Sequence, residues 1–146
     1  MKLSDVLVFP TFDESHGCVP IEAGLLGVPT IATDIFALPE LIENEKTGWL
    51  IPIDKRDDRR FVGLDTTGNI LKGHLEKENP NIKEGLCTAI QYMYVNRHII
   101  VKYGRAARVK LDKMYSAKEA ALTIKKYMGG VFDFLAKKAL DLNVVL

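Results

Sequence analysis

Short apolar runs separated by turns rich in glycine and proline dominate the first third of the chain. The continuous run Val6–Phe9 is typical of a strand buried on both faces of a parallel sheet. The runs Thr30–Thr33 and Gly48–Pro52 predict two further strands. Between the strands, Val19–Leu26 predicts a helix and Leu38–Glu43 a shorter one. This alternation predicts an α/β fold with a Rossmann-like parallel sheet and flanking helices.

The pattern lapses after the third strand. A charge run, DKRDDRR, is followed by stretches rich in turn residues, so we predict a surface insertion with a small hairpin around Phe61–Leu71. Helical spacing resumes at Ile82–Val95 and again at Arg97–Met114, which predicts C-terminal helices. The expected organisation is one domain over residues 1–146, made of a core, an irregular insertion and a helical closing segment, at 4–54, 55–81 and 82–140.

Composition and charge narrow the function classes. The 146 residues suit one domain with its own core, and a net charge of +1 makes no case for nucleic acid. Cys18 and Cys87 lie far apart and form no metal or redox spacing; with no signal peptide, a reducing cytoplasm is expected. The last third is basic, which usually marks a solvated face. Contact with an anionic membrane surface or an acidic partner is the alternative, and nothing else in the sequence supports peripheral membrane contact.

The candidate chemistry lies between the first and second predicted strands. A turn containing Gly17 opens a helix beside the carboxyl end of a strand, where α/β sheets bind anionic ligands. Carboxylates there would repel phosphate, so Glu14 and Glu22 are expected to accept hydrogen bonds from hydroxyl groups. Phosphate and polyol on one ligand indicate a nucleotide sugar.

The motifs of this region extend the interpretation. Ser4–Pro52 contains, in order, a strand ending in proline, a glutamate pair with seven residues between, EAGLLGVPTIATD, LPELI and TGWLIP. This segment resembles the C-terminal, donor-binding domain of GT-B retaining glycosyltransferases, family four in particular (glycosyl transferases group 1). GRAARVKLDKMYS, Gly104–Ser116, is similar to the segment that closes that domain. The resemblance runs from about Ser4 to Phe134.

The resemblance implies an activity and its ligands. A sugar would pass from a nucleoside diphosphate to an unknown acceptor hydroxyl, with retention at the anomeric carbon. No metal or other cofactor is expected, which agrees with the lack of an Asp-x-Asp motif in the sequence. The 146 residues would correspond to the later part of the domain.

The resemblance also implies roles for the carboxylates. Glu14 would be catalytic, close to the donor sugar, and Glu22 would bind the ribose hydroxyls. The alternatives are a solvated loop carboxylate for Glu14, and for Glu22 a glutamate on the first helical turn that the helix dipole favours. Asp34 and Glu40 would line the cleft rim, with a capping role for Glu40 equally open.

Backbone groups complete the expected substrate-binding set. The N–H groups of Gly17, Cys18 and Val19 would bind donor-sugar hydroxyls or the distal phosphate. Many members of the family have glycine and phenylalanine where this chain has Ser15 and His16. His16 is a candidate contact to phosphate or sugar, although a lone loop histidine is more often incidental.

The resemblance also shows what these residues do not contain. The acceptor-binding domain, the opening strands and the basic residues that grip the pyrophosphate find no match, so we expect the chain alone to be inactive. Val6–Phe9 would be an exposed sheet edge covered by self-association or by a partner chain. A fragment, half of a split enzyme and a self-associating domain all remain open. A non-catalytic binding or partner subunit and another GT-B enzyme, such as a nucleotide-sugar epimerase, are the alternative functions.

Overall fold

The computed structural model describes residues 4–116, 121–128 and 130. The chain divides into two compact units, Met1–Leu111 and Asp112–Leu146. The first unit carries the sheet and all of the candidate site residues. In the second unit, residues 121–128 are helical. No helix among the described residues is both long and apolar enough to cross a membrane.

The described strands form one three-stranded parallel sheet in the order β1-β2-β3. Their bounds are Leu7–Phe9 for β1, Thr30–Thr33 for β2 and Gly48–Ile51 for β3. All four residues of β2 are buried, as expected for a central parallel strand with both faces covered. The predicted α/β class and parallel sheet are therefore confirmed.

Four helices follow or separate the strands: α1 (Cys18–Leu25), α2 (Leu38–Leu41), α3 (Lys72–Val95) and α4 (Arg97–Tyr115). The start of α1 depends on Gly17, which adopts a left-handed conformation with φ 77°. A Cβ at this position would also lie 2.5 Å from Cδ1 of Leu41. Glycine is the residue that meets both conditions without strain.

The core lies on both faces of the sheet. Ile31 packs in one buried cluster, with Ile51 and Met93, and its neighbour Ala32 packs in another, with Ile35 and Phe61. Successive side chains of a strand point to opposite faces, so β2 supplies both clusters.

The region predicted as an irregular insertion at 55–81 is irregular only as far as residue 71. Helix α3 begins at Lys72 rather than at Ile82, and it continues through Pro80. The early start of α3 could not be predicted from the sequence, because residues 72–81 have no apolar stripe and include both glycine and proline. The buried residue that α3 presents in this stretch is Glu78, which is not an apolar residue.

The predicted small hairpin around Phe61–Leu71 is present only as isolated antiparallel pairing. The segment forms two isolated antiparallel bridges, Lys55 with Phe61 and Leu64 with Ile70, and neither extends into a strand among the described residues. The part of the predicted closing segment beyond residue 130 lies outside the described residues.

Candidate active site

The turn between β1 and α1 is organised around the Glu14 carboxylate. Its Oε1 accepts hydrogen bonds from the backbone N–H of Gly17 at 2.8 Å and of His16 at 3.0 Å. These bonds, Gly17 first, hold the pKa of Glu14 below its usual value of 4.5. At neutral pH Glu14 is therefore an ionised carboxylate fixed at the start of the helix, where the helix dipole favours negative charge.

The three predicted backbone donors differ in whether their N–H groups already have an acceptor. The Gly17 N–H is engaged by Glu14, whereas the first helical hydrogen bond of α1 runs from Ile21 N to Gly17 O. The N–H groups of Cys18 and Val19 have no acceptor among the described residues, and both residues are exposed. Two donors at the positive end of α1 are thus open to a ligand.

Glu22 lies further along α1 than the sequence indicated. Because left-handed Gly17 starts the helix at Cys18, Glu22 is past the first turn, which contains no acidic residue. The predicted helix-start position is wrong, and with it the argument from the helix dipole. Glu22 is exposed, and no hydrogen bond or ion pair engages its carboxylate within the described residues. Packing and charge pairing therefore give no structural reason for a carboxylate here.

A buried threonine ties the turn to the sheet. Thr33, the last residue of β2 and fully buried, donates its hydroxyl to the carbonyl of Thr11 at 2.5 Å. The Thr11 hydroxyl in turn donates to the carbonyl of Asp13 at 2.7 Å. Sequence reasoning missed Thr33, since its position in an apolar run indicated only a strand.

Residues 55–71, which we call the rim segment, dock on the loop after β2. Lys55 pairs with Asp34, and Arg59 pairs with Glu40 at 2.7 Å. The carbonyl of Arg59 also accepts a hydrogen bond from the N–H of Phe36 at 3.0 Å. Asp34 and Glu40 therefore each pair with a basic residue of the rim segment.

Two further expectations from the sequence concern His16 and metal ions. His16 is exposed, and its backbone N–H supports Glu14. Within the described ranges, no group of three or more His, Cys, Asp or Glu side chains is arranged to hold a metal ion.

A comparison with protein families matches the part of the chain that contains the turn between β1 and α1. A family model described as Glycosyl transferases group 1 matches residues 1–61, which include β1, α1 and both glutamates. Over these residues the chain is similar to the glycosyl transferases group 1 family. The match to the group 1 family ends inside the rim segment, so α3 and α4 lie outside it.

Curated relatives of the group 1 segment are longer proteins. It is similar to a D-inositol 3-phosphate glycosyltransferase of Mycobacteroides abscessus, with 33% identity over 57 residues, 39% of this chain and 13% of that protein. A D-inositol 3-phosphate glycosyltransferase of Pseudarthrobacter chlorophenolicus is 26% identical over 130 residues, 89% of this chain and 24% of its own length. An uncharacterised 41.2 kDa protein in the cps region of Klebsiella pneumoniae is 48% identical over 48 residues, 33% of this chain and 13% of that protein. The chain thus spans less than a quarter of each relative.

A solved structure shares the fold. Sucrose-phosphate synthase from Thermosynechococcus elongatus matches with a TM-score of 0.60 and 22% identity, over 89% of this chain and 26% of that one. This likeness, together with the parallel sheet, shows that the chain adopts part of a GT-B fold.

Proposed function

We propose that residues 4–54 bind the nucleotide-sugar donor of a retaining glycosyltransferase, which transfers a hexosyl group to an acceptor hydroxyl. The observation that carries the proposal is Glu22, an exposed carboxylate without an intramolecular partner in the segment that matches the group 1 family. A carboxylate is an acceptor that hydroxyl groups can satisfy. In this proposal Glu22 accepts hydrogen bonds from the two ribose hydroxyls.

The start of α1 supplies the phosphate contacts. The open N–H groups of Cys18 and Val19 donate to the distal phosphate, and the helix dipole adds partial positive charge. As the bond between sugar and phosphate breaks, negative charge grows on the diphosphate. Donors fixed in place before the reaction stabilise that charge without reorganisation.

Glu14 acts on the sugar side of the same bond. Positive charge develops at the anomeric carbon in the transition state, and an ionised carboxylate nearby lowers its energy. Two backbone amides keep Glu14 ionised and fixed, which is the state this role needs. No metal is required in this scheme. The exposed thiols of Cys18 and Cys87 suit a reducing compartment, and we place the activity in the cytoplasm.

A thermal-shift panel tests the proposal. The 146-residue chain is melted with UDP, GDP, ADP, UDP-glucose, GDP-mannose and ADP-glucose, because a ligand that binds the native state raises the melting temperature. We expect one nucleotide class to raise it. Glu22→Gln should weaken that binding about tenfold, since hydrogen bonds to charged groups are stronger than neutral ones.

Glu45→Gln is the matched control. Glu45 is also exposed, but it stands three residues before the start of β3 and so lies towards the amino ends of the parallel strands. This variant should bind like the wild type. Equal binding by Glu22→Gln, or a folded wild-type chain whose melting temperature no nucleotide moves, would contradict the proposal.

A second candidate function is that of a partner subunit, and the sheet edge favours it. Within the described residues β1 pairs with β2 alone, and Val8 on this edge is 42% exposed. A cavity of about 290 Å³ beside it is lined by Val6, Val8, Ile31, Ile90, Met93 and Ile100, among others. We infer that a further strand of a glycosyltransferase domain covers this edge. Val8→Lys should block an association that analytical ultracentrifugation detects for the wild type; an unchanged sedimentation profile would contradict this inference.

A further inference from the structure

The exposed side of α4 carries three basic side chains without partners. Lys102, Arg105 and Arg108 are all exposed, and each stands three residues from the next, so they are neighbours along one stripe of the helix. Within the described residues, no ion pair engages their charged ends. Lys110 of the same helix differs, because its ammonium lies 3.2 Å from the carboxylate of Glu43. Like charges therefore stand side by side on α4, and no acidic partner in the described structure relieves their repulsion.

Two apolar side chains lie in the same stripe. Val101 and Val109 stand four residues before and four residues after Arg105, and they are 55% and 72% exposed. Apart from the last two residues of α3, no large apolar side chain among the described residues of the first compact unit is as exposed. Valine is also a weaker helix former than alanine or leucine. Neither packing nor helix propensity therefore explains a valine at these two positions.

We call Val101, Lys102, Arg105, Arg108 and Val109 the basic face. The opposite side of α4 is packed firmly on α1. A Cβ at Gly104 would overlap the carbonyl oxygen of Gly27, and a Cβ at Gly24 would meet the buried side chain of Leu111. Because these contacts leave no slack between the two helices, a partner bound to the basic face is held in a fixed relation to the start of α1.

The basic face is separate from the surfaces described above. Arg97, at the start of α4, lies over the ring of Tyr94 and lines the cavity beside β1, so we leave it out of the basic face. The five residues of the basic face do not line that cavity. They also lie outside the group 1 match, which ends at residue 61. A partner on the basic face would therefore leave the sheet edge and the turn between β1 and α1 open.

The mixture of charges and valines indicates the kind of partner. The face extends over eight residue steps, about 12 Å of helix. A bilayer with anionic lipids attracts basic side chains, and apolar side chains among them enter the boundary between headgroups and acyl chains. Nucleic acid is less suited, because Tyr103, the aromatic residue within this stretch, is buried and cannot stack on a base. An acidic peptide accounts for the cations alone.

We propose that the basic face docks the protein on a membrane surface that contains anionic lipids. Lys102, Arg105 and Arg108 lie against the headgroups, and Val101 and Val109 enter the boundary layer. This interaction goes beyond the proposed function and does not depend on the binding of a nucleotide sugar. It gives α4 a role besides covering the sheet.

Co-sedimentation with vesicles tests the proposal on the 146-residue chain. One set of vesicles contains phosphatidylcholine alone, and the other contains phosphatidylcholine and phosphatidylglycerol at about three to one. At about 0.1 M salt, the chain should bind the mixed vesicles and not the phosphatidylcholine vesicles. Binding should be lost at about 1 M salt, where charges are screened beyond about 3 Å.

A pair of arginine substitutions assigns the binding to the basic face. Arg105→Gln combined with Arg108→Gln should weaken binding to the mixed vesicles about thirtyfold, since each basic residue near an anionic surface contributes about fivefold. Lys72→Gln combined with Lys83→Gln is the matched control, because it removes two charges from exposed positions of α3. This control should bind like the wild type.

A pair of valine substitutions tests the apolar part of the contact. Val101→Ala combined with Val109→Ala should weaken binding to the mixed vesicles about tenfold, through the loss of buried apolar surface. Alanine favours the helix, so circular dichroism should show that both the arginine and the valine variants keep the wild-type helix content.

Several results would overturn the proposal. These are a folded wild type that ignores the mixed vesicles, equal binding to both kinds of vesicle, and unchanged binding by either the arginine or the valine variant. Duplex DNA and polyglutamate are titrated in parallel. If the wild type binds one of these through Arg105 and Arg108 but binds no vesicle, the partner is an acidic macromolecule and not a membrane.

Discussion

The sheet region, residues 4–54, and the rim segment, residues 55–71, are built by different means. In the sheet region, backbone bonding repeats along β1, β2 and β3, and alternate side chains enter two clusters. The rim segment has two isolated bridges, ion pairs and a turn around one aspartate. Both nevertheless contain residues with 0% exposure, Ile31 in one and Phe61 in the other. Irregular backbone is therefore no sign of loose attachment here.

The largest test of this comparison removes the aromatic anchor of the rim segment. Phe61→Ala should lower the free energy of unfolding by about 3–5 kcal/mol, because a fully buried ring leaves a cavity. Urea denaturation followed by circular dichroism measures the change. Ile70→Ala, in the same segment but 40% exposed, should change stability by less than about 0.5 kcal/mol. Similar values for the two variants would mean that the rim segment is not part of the core.

A pair of glycines compares backbone strain in the two regions. Gly17→Ala should cost about 2–3 kcal/mol, because a left-handed φ and a contact 2.5 Å from Leu41 act together. Gly68 has φ 84° and no atom within 4 Å of its would-be Cβ. Gly68→Ala should therefore cost only the conformational strain, about 1 kcal/mol. Thermal melts of both variants measure the difference, and equal losses would show that Leu41 moves aside.

Acid titration compares the two carboxylates that organise turns. Glu14→Ala should cost about 1 kcal/mol at pH 7, as loss of a helix cap does. The folded pKa of Glu14 is lowered, so its stabilisation is complete above its usual pKa of 4.5 and is lost as pH falls through the folded value. The difference from the wild type should narrow on acidification below 4.5.

For Asp65→Ala the corresponding loss should come later, between about 3.8 and 2, because the folded pKa of Asp65 is about 2. Urea midpoints at a series of pH values test both variants. A difference for Glu14→Ala that stays constant down to pH 3 would argue against the capping bonds.

The smallest expected effect on stability comes from the ion pair between Asp34 and Lys55, which joins the sheet region to the rim segment. A double-mutant cycle with Asp34→Ala and Lys55→Ala should give a coupling energy of about 0.5–1 kcal/mol, since the pair is only partly shielded from solvent. The coupling should fall when the salt concentration is raised to 1 M. Coupling that salt does not change would mean that the contact acts through packing and not through charge.

The predictable parts of the fold are those specified by local pattern. The strands before and after α1 could be located because a buried parallel strand is continuously apolar, and α1 itself because glycine and proline bracket it. The helical residues 72–81 could not, since they have no apolar stripe and their contacts, such as Lys77 with Asp54, join residues far apart in sequence. The docking of Phe61 on Phe12 joins residues far apart in sequence, which no local pattern reports.

The candidate site divides in the same way. Glu14 and Glu22 could be named from motif spacing, and their residue types are right for the proposed chemistry. The left-handed start of α1 determines two further facts. The Glu14 carboxylate accepts a hydrogen bond from Gly17, and Glu22 lies beyond the first turn. A one-residue difference in where a helix begins is below what apolar periodicity resolves.

The alternation of Ile31 and Ala32 between two clusters has a consequence for how this domain tolerates changes in length. One residue inserted into β2 would exchange the two side chains between faces and place an isoleucine where an alanine fits. The turn around Gly68 has open space about it, so a residue inserted there costs the local bonds between Asn69 and Asp65 but leaves the two clusters in place. Related sequences can therefore vary in length more readily in the rim segment than in β2, where the two clusters fix the number of residues.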